Sequence, residues 1–285
     1  MDFSTKHLRL ALLVTLTMVA FAANSLLNRI ALLETGIGPM SFAAIRLASG
    51  AVALGLMVWV RRRGWPRLDV LQGLWLLVYA LGFSFAYVSL DAGLGALLLF
   101  GVVKITMFAG AAVSGEPVPN QRLLGGGVAF GGLVYLLWPA GAGAPALGAS
   151  VMMALAAIGW GLYSLRGRGA TDPLGQTALA FILAAPIGLL GLLLRPDEIT
   201  AMGAFYAVIS GVVTSGLGYA LWYHVLPQLG ASRGAVAQLT VPVIAIFAGA
   251  LLLGEPITMR ILAATGLVIF GVGLALRAAQ KPSPK

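Results

Sequence analysis

The sequence predicts an all-α integral membrane protein of ten transmembrane helices, built as two inverted five-helix repeats. Three observations carry that prediction. Hydrophobic residues make up 60% of the 285 and charged residues 9%, against about one quarter charged in soluble domains. The chain divides into ten apolar runs, each about as long as a helix needs to cross a hydrocarbon core of about 30 Å. Finally, Ala235 to Pro256 (AVAQLTVPVIAIFAGALLLGEP) restates, blurred, a stretch 139 residues earlier, Ala96 to Pro117 (ALLLFGVVKITMFAGAAVSGEP).

The repeat is not an accident of apolar composition. Phe-Ala-Gly-Ala (108–111 and 247–250) and Gly-Glu-Pro (115–117 and 254–256) fall in one register. The same offset pairs Ser25-Leu26 with Ser164-Leu165 and Arg29 with Arg168, and runs on through Gly127/Gly266 and Gly132/Gly271. Self-similarity over nearly the whole chain means one unit used twice. The units are residues 1–138 and 146–285, joined by the Pro/Gly/Ala stretch 139–145.

The first run extends from about residue 10 to Leu33. Ala20-Phe21-Ala22 inside it looks like a signal-peptidase site, but the run continues past it and its second-copy partner is internal. The next runs lie at about 40–60, 70–90, 93–114 and 120–138, then 147–166, 174–194, 200–225, 231–253 and 258–277. Between them stand turn formers such as Gly36-Ile37-Gly38-Pro39, Arg63-Gly64-Trp65-Pro66, Asp172-Pro173 and Pro227-Gln228-Leu229-Gly230. The runs are helices, because a helix satisfies its own backbone in lipid and the strict alternation of barrel strands is absent.

An odd number of helices per copy inserts the second copy upside down. The basic residues agree, since Lys and Arg collect in cytoplasmic loops. Thirteen of the 18 lie on one side (Lys6, Arg9, Arg61, Arg62, Arg63, Arg67, Arg122, Arg166, Arg168, Arg233, Arg277, Lys281, Lys285) and three on the other (Arg29, Arg195, Arg260). Both termini are therefore expected to be cytoplasmic, in a multi-pass protein of the cell inner (plasma) membrane.

An odd-helix inverted repeat with Gly-Glu-Pro closing the fourth helix of each half resembles the drug/metabolite transporter superfamily, in particular its EamA-type ten-helix exporters. The matching residues are Gly115-Glu116-Pro117, Gly254-Glu255-Pro256, Pro242 in the ninth helix and Arg46 in the second. The first half departs at one level, where Val103 and Lys104 stand opposite Pro242 and Val243. Overall the chain is most similar to the YddG-type exporters of aromatic amino acids. The resemblance implies amino acid export by alternating access.

Several residues stand out as candidate site groups. Lys104 sits about eleven residues from either end of the fourth helix, roughly 16 Å deep, and an intramembrane charge is a functional hypothesis by default. It is read as an anchor for a substrate carboxylate or as a proton carrier; the alternative is a lysine hydrogen-bonded to backbone or amide groups. Arg46, about six residues into the second helix, is read as reaching the interface. Tyr79, Phe83 and Tyr87 form one stripe on the third helix. Tyr219, with Tyr223 and Trp222, answers them in the eighth, and Trp160 and Tyr163 add to them in the sixth. Asn24 and Asn28 in the first helix and Gln238 in the ninth supply amides that belong beside a wet cavity rather than lipid. Pro242 and Pro186 are candidate kinks or gating points, because each removes a helical donor. Glu116 and Glu255 are read as caps of the helices that follow them, and Asp91 and His224 as interfacial. The glycine-rich fifth helix and the tenth pack closely, outside the cavity.

These residues predict a secondary transporter exporting small amphipathic metabolites, aromatic or other neutral amino acids, through a central cavity. The alternative is a multidrug or organic-cation efflux transporter of the same fold. The partners are then a small-molecule substrate and the lipid bilayer. The net charge of +9 is spread between apolar runs, which speaks against nucleic acid. No Gly-x-x-x-x-Gly-Lys-Ser/Thr loop, catalytic dyad or HExxH site occurs, and with no cysteine and only two histidines neither enzymatic activity, a cofactor nor a metal is expected. The sequence is silent on oligomeric state.

Overall fold

The computed structural model describes residues 3–61, 64–113, 120–138, 145–167 and 170–278, of which 3–6, 111, 122, 230–233, 277 and 278 are described in backbone only. All regular structure among them is helical: α1 (Phe3–Glu34), α2 (Pro39–Val60), α3 (Val70–Ala86), α4 (Ala92–Val113), α5 (Asn120–Leu137), α6 (Leu147–Arg166), α7 (Pro173–Leu194), α8 (Ala201–Ile209), a π-helical segment (Ser210–Leu217), α9 (Gly218–Gln238), α10 (Thr240–Leu253) and α11 (Met259–Ala278). Eight stretches among the described residues, from His7–Glu34 to Met259–Leu276, are long and apolar enough to cross a membrane, and Val70–Ala86 and Leu123–Leu137 are shorter apolar helices. Gly115-Glu116-Pro117, Arg168 and most of the 139–145 joint lie outside the described residues.

Helices start where the sequence offers a cap. Asp69, Asp172, Thr200 and Thr258 accept from Gln72, Gly175, Gly203 and Ile261 N–H, opening α3, α7, α8 and α11, and each satisfies a donor with no intrahelical partner. Thr258, not Glu255, thus caps α11, which corrects the sequence expectation for that glutamate. α3 ends at Ala86, one turn before the apolar run does, and Tyr87 is its C-cap residue.

The chain is helical without interruption from Ala201 to Gln238, yet it doubles back within that span. A Cβ on Gly234 would lie 2.7 Å from Leu226 and 3.2 Å from Trp222, residues that a straight helix would hold about 12 and 18 Å away. The reversal falls between Leu226 and Gly234, the span that holds the expected turn formers Pro227 to Gly230. The break between α9 and α10 falls at Leu239, three residues before Pro242. Pro242 has no N–H to offer the Gln238 carbonyl, and Thr240 Oγ1 donates to the Ala237 carbonyl at 2.7 Å. α7, by contrast, runs unbroken through an exposed Pro186.

The principal contacts join the two halves: α2 packs on α7, α3 on α6, α4 on α6 and α10, α5 on α11, and α1 on the π segment, α9 and α10. α5 and α11 approach to backbone contact, since a Cβ on Gly125 would stand 2.4 Å from the Gly271 carbonyl. That is the close packing expected of the glycine-rich pair.

Candidate functional site

The centre of the bundle holds a cavity lined by Phe21, Asn24 and Ser25 of α1, Tyr79 and Phe83 of α3, Leu99 and Phe100 of α4, Trp160 of α6, Thr214 of the π segment and Tyr219 of α9. It encloses about 370 Å³ of empty space, part of it open outward. The room left for water centres fits about one or two molecules, so a metabolite needs the walls to part.

Aromatic rings in contact build the wall. Tyr79 meets Trp160 at 4.9 Å between centroids, Trp160 meets Tyr219 at 5.0 Å, and Tyr79 meets Phe83 at 5.3 Å. These spacings lie in the favourable range for aromatic pairs. All four rings come from the stretches that sequence spacing singled out on the third, sixth and eighth helices.

One polar network runs behind the rings. Asn24 Oδ1 accepts from Ser210 Oγ at 2.7 Å and Thr214 Oγ1 at 2.9 Å, and its Nδ2 donates to the Tyr79 hydroxyl at 3.3 Å. Arg46 Nη2 donates to the same hydroxyl at 3.0 Å, while Nε donates to Ser215 Oγ at 3.2 Å. The guanidinium carbon stands 5.1 Å from the Tyr79 ring centre and 5.2 Å from that of Phe83. Arg46 is 1% exposed and its Nη1 has no hydrogen-bond partner. The π segment makes this network possible, because it places Ser210, Thr214 and Ser215 on the side of α1 and α2. Its Gly211 lets α2 come within reach: a Cβ there would sit 2.4 Å from the Arg46 carbonyl. Single π turns inside helices are frequent at functional sites.

Of the ten predicted binding residues, Asn24, Tyr79, Phe83, Trp160 and Tyr219 line the cavity and the other five do not. Asn28 accepts from Ser84 Oγ at 3.0 Å. Tyr87 donates to the Ala92 carbonyl and sets its ring edge-on to Phe83. Tyr163 stacks on Trp160 and shares a 2.7 Å hydrogen bond with Thr177. Lys104 donates to Gln238 Oε1 at 2.5 Å, tying mid-α4 to the break beside Pro242. Neither of that pair lines the cavity, and Lys104 has the amide partner that its alternative reading foresaw. Arg46 is the principal omission: it turns inward rather than reaching an interface. Phe21 could have been found, since 21, 24, 25 and 28 share one helical face.

A second cluster lies at one end of the bundle. Arg29 donates to Asp91 at 3.4 Å, to Glu255 at 3.3 Å and to the Tyr87 and Val88 carbonyls at 3.0 and 3.1 Å. Both Glu255 oxygens accept from the Ala92 N–H at 2.9 Å. Glu255 therefore caps α4 of the other half, directed there by the left-handed Gly254 that ends α10. Partial burial pushes its carboxyl above the ordinary value, with Asp91 adding to the shift and the Ala92 N–H and Arg29 opposing it. Asp91 is thus held in an ion-pair cluster at that end of the bundle. At the opposite end Asp69 pairs with Arg166 at 2.8 Å. Burial would raise the Asp69 carboxyl, but Arg166 and the Gln72 N–H outweigh it and hold it below the ordinary value. Among the described residues no group of three or more histidine or acidic side chains is placed to hold a metal.

Residues 147–277 match the EamA-like transporter family. An uncharacterised Pseudomonas aeruginosa protein, PA1977, is 48% identical over 94% of each chain. An uncharacterised transporter of Archaeoglobus fulgidus is 26% identical over 95% of this chain and 99% of its own, and the uncharacterised transporter YoaV of Bacillus subtilis is 24% identical over 83% and 86%. A solved crystal structure superposes with a TM-score of 0.66 at 17% identity over 96% of this chain and 99% of the other, a likeness of fold alone.

Proposed function

Since residues 147–277 match the EamA-like transporter family and the chain is a multi-pass membrane protein, we propose that it is a secondary transporter exporting small amphipathic metabolites by alternating access. The leading substrates are aromatic or other neutral amino acids. The observation that carries this reading is the central cavity, walled by rings from both halves and backed by amides and hydroxyls, in the bundle interior where binding sites of transporters lie. The two units, residues 1–138 and 146–285, rock against each other around it as inverted repeats. Helix contacts that exchange the halves support this: α3 lies on α6 much as the π segment and α9 lie on α1. The Arg29, Asp91 and Glu255 cluster is the closed end in this conformation, and the Lys104–Gln238 contact links the first half to the break beside Pro242. The excess of Lys and Arg supports a cytoplasmic Asp69 end and cytoplasmic termini, for a protein of the inner membrane. An organic-cation exporter fits less well, because no carboxylate lines the cavity.

Purified protein in proteoliposomes tests the reading with labelled L-phenylalanine. Uptake is expected to saturate and to accelerate when unlabelled phenylalanine is loaded inside. Uptake that stays linear with concentration and indifferent to the trans side contradicts it.

A further inference from the structure

We propose that Arg46 is the anion-binding group of the central cavity, and that the cavity takes small carboxylates with a flat aromatic or apolar body, the amino group being dispensable. The inference deepens the transport reading and rests on the cavity being the site. Arginine stays charged in any protein environment. A charge removed from water is costly unless it is paired, and no ion pair among the described residues involves Arg46. Its hydrogen-bond partners, the Tyr79 and Ser215 hydroxyls, are neutral phenol and alcohol groups, the nearby Tyr219 is another phenol, and Nη1 has no partner. The site therefore carries an unmatched positive charge and unused donors.

That charge is positioned to meet a ligand. The guanidinium lies against the rings of Tyr79 and Phe83, both cavity walls, and shares the Tyr79 hydroxyl with Asn24, a third wall residue. When the walls part, a carboxylate takes the unpaired Nη1 and a neighbouring guanidinium nitrogen as a two-pronged acceptor, the geometry in which arginine binds most strongly. The aromatic wall then receives the flat body. Arg46 itself stands behind the wall, touching two of its rings; of the other buried cations, Lys104 donates to Gln238, which is not a wall residue, and Arg29 is paired with Asp91 and Glu255. No acid lines the cavity, so an ammonium group meets no charge there. The carboxylate is what the site selects.

Three probes of nearly equal apolar body separate the groups: 3-phenylpropionate, phenethylamine and 3-phenylpropan-1-ol, each competing with labelled L-phenylalanine on detergent-purified protein. The acid is expected to compete, and the amine and alcohol to be weaker by about ten-fold or more, the worth of a hydrogen bond to a charged group. Arg46→Gln should weaken the acid by about the same factor and leave the alcohol unchanged, while Arg46→Lys retains part of the affinity. If Arg46→Gln does not fold, the probe series on wild type and Arg46→Lys decides. An amine that competes as well as the acid, an acid indifferent to Arg46→Gln, or no competition by any probe overturns the proposal. Carboxylate binding that depends on Arg46 without counterflow sinks the transport reading and leaves the site; counterflow that is blind to the carboxylate does the reverse.

Discussion

Tyr79 is the residue on which the interior network converges, since its hydroxyl oxygen accepts from both Arg46 and Asn24. Tyr79→Phe keeps the ring and strands both donors in the bundle interior. An unsatisfied buried donor costs about 1–3 kcal/mol, so the variant should melt at lower temperature, by more than a surface Tyr135→Phe control; equal melting would show that the two donors find other partners. The rings were legible in the sequence because spacings of three and four residues fix a helical face. Arg46 was not. Counted from Pro39 it is the eighth residue of α2, about 10 Å in, a depth from which a long side chain can reach outward or turn inward. Only the neighbours decide which, and Tyr79 and Ser215 are distant in sequence. The partner of Lys104 was hidden for the same reason, with Gln238 standing 134 residues away.

Elements were legible where local chemistry marks them. Helix starts at Asp69, Asp172 and Thr200 follow from caps, and the reversal between Leu226 and Gly234 spans turn formers. The π segment left no such mark, because an extra residue in a helical turn is selected by packing. Its Gly211 is the position on which that packing rests. Gly211→Ala puts a methyl 2.1 Å from Ser49 Oγ and 2.4 Å from the Arg46 carbonyl, and backbone cannot swing aside. The variant should lower melting temperature and substrate affinity together, whereas Gly266→Ala, which meets nothing within 4 Å, should do neither. Glu255 belongs to this scale too, as a cap lent by one half to a helix of the other. Its carboxyl is raised above an ordinary 4.5, so its contribution to stability is full below pH 4.5 and is lost as pH rises through the raised value. Glu255→Gln stays neutral and keeps an acceptor for Ala92 N–H. It should be at least as stable as wild type at pH 7 and lose that pH dependence. Glu255→Ala should lose about 0.5–2 kcal/mol, the usual worth of a cap, and an Ala variant no less stable than Gln would contradict the cap.

The whole molecule is the scale at which the sequence said most, because the self-similarity at an offset of 139 points to one unit used twice. The offset of 139 makes Asn120 and Met259, the first residues of α5 and α11, counterparts, and Met259 is 80% exposed. Inverted repeats put them on opposite sides. In this cysteine-free chain, Asn120→Cys should react with an impermeant maleimide from the cytoplasm and Met259→Cys from outside; reaction from one side only would make the repeats parallel. What the sequence could not supply is the state of the cavity, which depends on how the halves are tilted. Alternating access requires the wall to face each side in turn, and Leu99, a wall residue 4% exposed here, reports on that directly. Leu99→Cys should be labelled by an impermeant maleimide added to either face of sealed, oriented vesicles, and L-phenylalanine should slow labelling from both. Labelling from one face only, whatever the substrate present, would contradict a carrier that opens to both sides.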